Sequence, residues 1–359
     1  MSELESAIER ARDLARKPIT TYDQFPDSDA YIFHVPELAD LIRIARDATP
    51  DQANAIVRGL IPAIREADPF QAARLGLLCG SLVESGADPT LAVEAVVDRL
   101  PAVLAGAAVA LERLGEGDDP EALFAAEPEA VNAWKALRYL VLPAMAMLAR
   151  DAAARQRARA RPELRDALKV IAPHETVARF LAMTLDLADG LELLVIHPRQ
   201  GKGFRVNLEA VAGNAHLFTL LQGTLIGSPK AGLLEGPPPS VEVVGVATGQ
   251  IVPERHVSDK ALFHYYDWSA LDADPESDEL HLSATVWVDG RPEEIPEFEG
   301  TRVLLLGRPV FGFRGWDSTH FPLFHDALRP RVRVLGSLTP DEVTDWLSRM
   351  REAVRAAGV

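Results

Sequence analysis

The stretch RGWDSTHFPLFHDALRP, residues 314–330, holds the side chains of this sequence best suited to proton transfer. Asp317 and His320 follow the apolar run VLLLG, and loops that follow strands often carry functional residues. A carboxylate near an imidazole can act as an acid/base couple. Asp317 and His320 are therefore the candidate catalytic residues if the protein is an enzyme. The competing interpretation is structural, because Asp, Ser and Thr also cap helices and shape turns.

Metal and cofactor chemistry finds little support in the sequence. His320 and His325 are five positions apart, about 140° around a helix, whereas two ligands on one helix face need a spacing of three or four. The sequence has no HExxH motif, paired CxxC motif, P-loop or GxSxG elbow. Gly201 and Gly203 form only a GxG, too little for a dinucleotide loop. We expect no metal and no cofactor.

Aromatic and imidazole side chains concentrate in two segments predicted to be strands. Alternation along FHYYDW places His264, Tyr266 and Trp268 on one face, and alternation along HLSATVWV places His281 and Trp287 on one face. If the two strands are neighbours, these five residues form a wall that could bind a ligand, because pockets are mostly apolar with a few polar groups. The same wall could instead be a solvent-exposed sheet face or a packing surface.

Two further features have both a functional and a structural interpretation. Cys79 lies in the apolar segment LGLLCGSLVE without a neighbouring His or Lys to stabilise a thiolate, so we interpret it as a core residue. Six arginines occur between Arg150 and Arg165. They could form a docking surface for an acidic partner or a phosphate-bearing ligand. However, the spacing of two from Arg157 to Arg161 spreads these side chains around a helix, which favours a solvated helix end.

Charge and composition limit the partners. The 359 residues include 37 basic and 53 acidic ones, a formal net charge of −16. That charge repels nucleic acids and anionic membrane surfaces, so we expect neither as a partner. No run reaches the roughly 18 apolar residues of a membrane span, and the charged start does not resemble a signal peptide. With a single cysteine that needs no oxidising compartment, we expect a cytoplasmic protein.

The pattern of apolar residues changes near Gly190, which predicts a helical domain at 1–188 and an α+β domain at 189–359. In the first part, ADP at 67–69 and at 87–89 marks two helix starts, and we expect helices at 51–65, 69–85 and 89–100. These short antiparallel helices resemble the stacked hairpins of HEAT or armadillo arrays in architecture. No residue signature repeats, so an irregular bundle is equally compatible.

The second part carries the β-structure. LELLVIHPRQGKGFRVNLEAV is predicted to form a hairpin around PRQGKG. NAHLFTLLQGTLIG is predicted to be a helix capped by Asn214, and SLTPDE is predicted to begin a C-terminal helix. We expect a mixed or antiparallel sheet with helices on one face. Further strands are predicted at VEVVGVATG, KALFHYYDW, LHLSATVWV, TRVLLLG and PRVRVLG.

Two functions remain open from the sequence. The first is a non-catalytic, regulatory protein that binds another protein, supported by the stacked helices and the aromatic wall; it could also self-associate into a homo-oligomer. The second is a small-molecule enzyme or ligand sensor with its pocket on the α+β domain. In that case Asp317 and His320 would transfer protons and the aromatic wall would bind the ligand.

Overall fold

The structure, a computed structural model, describes residues 2–226, 233–252, 257–316 and 325–358, with only the backbone described at 313–316. The chain divides into two compact units, Met1–Asp186 and Leu187–Val359. Within residues 2–186 every α- or β-element that the structure describes is a helix, as the apolar periodicity predicted.

Within residues 2–186 the structure describes eleven α-helices, six of which begin at a proline. Side chains cap several of them: Thr49, Asp68, Asp119 and Asp151 each accept the backbone N–H three residues on. The helices are α1 (Glu3–Ala15), α2 (Pro36–Arg46), α3 (Pro50–Glu66), α4 (Pro69–Glu84), α5 (Val93–Val97), α6 (Leu100–Gly115), α7 (Pro120–Ala126), α8 (Pro128–Leu148), α9 (Ala152–Arg159), α10 (Pro162–Ile171) and α11 (Thr176–Leu185).

The prediction of a helix at 89–100 was wrong in its first turn. Asp88 does not cap a helix; its carboxylate accepts the N–H and hydroxyl of Thr90, two residues on, which closes a turn. The α-helix begins only at Val93, and Leu100 opens the next helix.

Helix α8 lies at the centre of this unit. It packs against both α4 and α6 and is buried around most of its circumference. Small residues allow the close approach: a Cβ on Gly80 would lie 2.8 Å from the Cα of Pro143, and one on Gly106 would lie 2.7 Å from the Cβ of Ala133. In a stacked array each repeat contacts only its neighbours. Helices distant in sequence that pack around one central helix instead form an irregular bundle.

In the part of the C-terminal unit that the structure describes, six strands form a mixed sheet: β1 (Glu192–His197), β2 (Lys202–Glu209), β4 (His264–Tyr266), β5 (Glu297–Phe298), β6 (Thr301–Gly307) and β8 (Arg331–Ser337). Two more, β3 (Val257–Lys260) and β7 (Phe313–Trp316), form a separate two-stranded sheet. The main path of the larger sheet runs β4–β6–β1–β2–β8, and β5 pairs with β6. β1 and β6 are parallel, whereas the other pairs are antiparallel.

Helices cover both faces of the larger sheet, not one as expected. Helices α12 (Asn214–Leu225) and α13 (Val241–Ala247) pack with Val195, Phe204 and Leu304 on one face. Helix α14 (Pro340–Ala357), capped by Thr339, packs with Leu194, Ile196 and Leu305 on the other. The predicted α+β class is confirmed, because helices precede a mixed sheet that has a few helices of its own.

Three local predictions in this unit were wrong. VEVVGVATG forms α13 because Ser240 caps it and Val243, Val246 and Ala247 are buried at helical spacing. LHLSATVWV contains a 3-10 turn at Leu282–Ala284 and no strand. Asn214 does not cap α12: Gly213 is the N-cap, and the Asn214 amide donates to the carbonyl of Trp287 instead.

Candidate functional site

Strand β4 brings together two of the predicted ligand-binding residues. His264 and Tyr266 are both buried, and their ring centroids are 4.7 Å apart in an edge-to-face arrangement. Nε2 of His264 lies 3.1 Å from the hydroxyl of Thr285. The strand alternation therefore placed this pair correctly on one face.

The other three predicted ligand-binding residues do not join that pair in a wall. Trp268 lies in a 3-10 turn after β4 and packs against Phe298, with ring centroids 5.1 Å apart. The side chain of His281 is 54 % exposed, with Nε2 3.5 Å from a carboxylate oxygen of Asp272. Trp287 is 61 % exposed. The segment 280–288 is not a strand, so its side chains do not alternate between two faces. The predicted wall, which depended on that alternation, therefore does not form. Asp317 and His320 lie outside the described residues.

A cleft of about 820 Å³ opens where β1 and β6 end. Because the two strands are parallel, their carboxyl ends lie at the same edge of the sheet, where ligands bind in many open sheets. The turn that follows β1 and the segment 308–310 that follows β6 line the cleft on one side. The acidic loop at 278–280 contributes further lining residues.

Aromatic rings give the cleft an apolar lining. The ring of Tyr266 packs over Gly307, where any Cβ would come within 2.4 Å of its Cε2 atom. Phe263 meets the imidazole of His197 edge-to-face, with centroids 5.5 Å apart. Burial raises the pKa of the Tyr266 phenol, so this hydroxyl stays protonated as a donor. It has no hydrogen-bond partner among the residues described.

His197 is a neutral donor at the end of β1. Its Nδ1 accepts the backbone N–H of Gln200 at 3.3 Å, which requires an unprotonated Nδ1 and leaves the hydrogen on Nε2. Burial lowers the pKa of the imidazole, and the nearby positive charges of Arg199 and Lys202 lower it further. The imidazole is therefore uncharged at neutral pH.

Four charged side chains of both signs also line the cleft. Arg199 and Arg308 follow the two parallel strands, and Asp278 and Glu279 lie on the acidic loop. In the part of the chain that the structure describes, none of the four has an ion-pair or side-chain hydrogen-bond partner. The cleft thus offers guanidinium, imidazole and phenol donors together with carboxylate acceptors.

A second concave surface lies on the N-terminal unit, between α6 and α10. This groove of about 670 Å³ is lined mainly by Ala, Val, Leu and Ile, with Glu112 and His174 as its polar members. Val109 is 46 % exposed and Val170 is 61 % exposed, although both are aliphatic. Exposed aliphatic side chains that line one groove are typical of protein-binding surfaces.

The arginine-rich segment and Cys79 serve structure. Arg157 and Arg161 form ion pairs with Glu94 of α5, at 2.8 and 2.5 Å. Arg155 is buried and donates to carbonyls at the end of α8. These three arginines therefore have partners within the bundle, which favours the structural interpretation of the segment. Burial raises the pKa of the Cys79 thiol to about 12, so it is no nucleophile.

The cleft residues that sequence reasoning missed are His197, Arg199, Arg308, Asp278 and Glu279. Their only sequence signal is that the first three flank the ends of two predicted strands. That signal becomes informative only when the strands are known to be parallel neighbours, and more than a hundred residues separate them.

Comparison of the chain with protein-family models, with curated proteins and with solved structures finds no match. Within the described ranges, no three His, Cys, Asp or Glu side chains group in a way that could hold a metal ion. No helix in those same ranges is long and apolar enough to cross a membrane. Function is therefore inferred from the geometry of the chain itself.

Proposed function

We propose that the C-terminal unit is a ligand-binding, sensor-type module. Its strand-end cleft would bind a small organic molecule that has an anionic group and an apolar body. The observation that carries this proposal is one aromatic-lined cleft that collects neutral donors and charges without an ion-pair partner among the described residues. Arg199 and Arg308 would bind the anion, the Nε2–H of His197 would donate to it, and Phe263 and Tyr266 would contact the apolar body.

Energetic reasoning supports a ligand in this place. A protein gains little from exposed charges that have no partner, but a bound carboxylate, sulfonate or phosphate gains charge-assisted hydrogen bonds from arginine. The volume of about 820 Å³ lies within the range of small-molecule sites, about 300–1,000 Å³. The roles given to these side chains are contacts with the ligand, so we propose binding alone and no catalytic step.

The test uses anilinonaphthalene sulfonate, a fluorescent anion with an apolar body, and measures its affinity for the full chain. We expect the double variant Arg199→Gln/Arg308→Gln to bind it at least about tenfold more weakly, since each charged contact contributes about 1 kcal/mol or more. Arg205→Gln is the matched control, because Arg205 is an exposed arginine of the same unit away from the cleft. Equal affinity of the double variant and the control would refute the proposal.

Protein interaction is a second candidate function, favoured by the apolar groove between α6 and α10. A photo-crosslinking amino acid at Val109 should form an adduct with the bound partner, whereas the same group at the more exposed Val241, outside the groove, should not. An adduct of twice the chain mass in the purified protein would identify a homo-oligomer. Similar adduct yields from the two positions would remove the support for this function.

The remaining expectations are part of the same proposal. The acidic net charge favours a protein or a small molecule over nucleic acid as the partner. The single cysteine, which needs no disulfide, favours the cytoplasm. Fractionation of cells that express a tagged chain would test the location.

A further inference from the structure

We infer that the ligand of the cleft is dipolar: a short peptide that has a free ammonium end, a free carboxylate end and apolar side chains. This inference rests on the proposed function and adds the acidic loop to it. Asp278 and Glu279 line the same cleft as Arg199 and Arg308. An anion alone would meet repulsion from both carboxylates, whereas a molecule with both charges is attracted by each pair.

The opposite charges of the cleft do not neutralise one another. Among the described side chains, no nitrogen of either arginine lies within 4.0 Å of either carboxylate, although all four line one cavity. All four residues are exposed, so a bound molecule can reach either pair of charges. A peptide with an ammonium group at one end and a carboxylate at the other would pair with both sets of charges.

The other lining groups fit a peptide as well. Leu282 is 58 % exposed and Val310 is 51 % exposed, and both line the cleft, so apolar side chains of the ligand would cover them. Tyr266 is only 4 % exposed, yet its hydroxyl has no partner in the described part of the structure. A peptide group of the ligand would accept that hydrogen bond. The volume of about 820 Å³ leaves room for a ligand larger than one amino acid.

Three dipeptide probes with the same apolar body separate the roles of the charges: Leu-Phe, N-acetyl-Leu-Phe and Leu-Phe-amide. Calorimetry on the full chain should give the highest affinity for Leu-Phe and an affinity about tenfold or more lower for each capped probe, the loss of one charge-assisted contact. The variant Asp278→Asn/Glu279→Gln should weaken Leu-Phe binding but not the binding of N-acetyl-Leu-Phe. Arg205→Gln again serves as the control and should change nothing.

Each outcome decides between the inference and the proposed function. If N-acetyl-Leu-Phe binds as tightly as Leu-Phe, the dipolar ligand is wrong while a site for anions stands. The dipolar ligand is also wrong, and the anion site stands, if no dipeptide binds but anilinonaphthalene sulfonate binds and loses affinity in the Arg199→Gln/Arg308→Gln variant. If neither probe class binds in the cleft, both the inference and the proposed function fail. A Leu-Phe affinity that falls in the acidic-loop variant and holds in the control supports the inference.

Discussion

His216 makes the stability of the C-terminal unit depend on pH. The imidazole is fully buried, Nδ1 accepts the N–H of Ala212 at 3.1 Å, and Nε2 lies 2.7 Å from the carbonyl of Ala247, to which it donates. The side chain thereby joins the turn before α12 to the end of α13. Because Nδ1 must accept a hydrogen bond, only the neutral imidazole fits. Burial accordingly lowers its pKa from 6.5 to about 4.

The sign and size of the effect follow from the two pKa values. Above pH 6.5 the imidazole is neutral in both states, and the contribution of His216 does not change with pH. As the pH falls from 6.5 toward 4, the unfolded chain takes up a proton that the folded chain does not, so the folded state loses stability. At pH 5 the loss is about 2 kcal/mol, from roughly 1.5 pH units at 1.36 kcal/mol each. Below pH 4 the loss levels off.

The assay is urea unfolding between pH 7.5 and 5, with hydrogen exchange of the α12 amides as the local measure of stability. Wild-type protein should lose about 2 kcal/mol through His216 and a further amount through His197, whose pKa burial also lowers, and His216→Leu should lack the part that His216 contributes. The variant should also be about 2 to 5 kcal/mol less stable at pH 7, because two buried backbone groups lose their partner. His281→Asn, a change at an exposed imidazole, is the control and should keep the slope.

An NMR titration of wild-type protein tests the reasoning even if the Leu variant does not fold. The ring signals of His216 should not titrate above pH 5. A midpoint near 6.5, or a full pH slope in a folded His216→Leu protein, would refute it.

Three further predictions concern the helical unit. Gly80→Ala should destabilise the unit by about 1 to 3 kcal/mol, because the new Cβ meets the backbone of α8. Gly76→Ala should be neutral or stabilise the unit by up to about 1 kcal/mol, because its new Cβ makes only ordinary contacts of 3.5 Å or more. Thermal unfolding of the two variants measures the difference. Cys79 should react with Ellman's reagent at pH 8 only as the bundle unfolds, and a fast reaction in native buffer would contradict its burial. In urea unfolding, Arg155→Met should lower the free energy of unfolding by about 2 to 3 kcal/mol, because Arg155 is buried, and the exposed Arg157→Met should lower it by clearly less. Equal losses for the two variants would contradict this reasoning.

The helical unit was largely predictable because its signals are local. Asp68 followed by Pro69 marks the start of α4, and the capping contact spans only Asp68 to Gln71. In α3, buried apolar residues recur at helical spacing along the whole helix. The error at Asp88 has the same origin, because its ADP sequence is also compatible with a turn that Thr90 closes. How the helices pack around α8 depends on contacts between distant residues, which the periodicity does not contain.

The sheet unit was predictable where alternation and turn residues agree, as in β1, β2 and the turn between them. Gly201 adopts the left-handed conformation, with φ of 60°, that this turn requires. The valine-rich segment of α13 was mispredicted because β-branched residues favour strands in general. Its Ser240 cap and its burial against the sheet outweigh that preference. For HLSATVWV, a single bridge between Tyr266 and Thr285 replaces the expected strand pairing.

The candidate site follows from the parallel pair β1 and β6, the one such pair among the described strands of the larger sheet. Antiparallel neighbours end at opposite edges, so their turns alternate between the two edges, whereas β1 and β6 end together and bring the segments at 198–200 and 308–310 to one edge. Gly307 then allows the ring of Tyr266 to lie across the end of β6. The predicted residue Tyr266 and the unpredicted Arg308 thus line one cleft. The topology of the sheet places them there, not a local sequence motif. Local sequence patterns could identify Tyr266 as a candidate, but its charged neighbours depend on strand order.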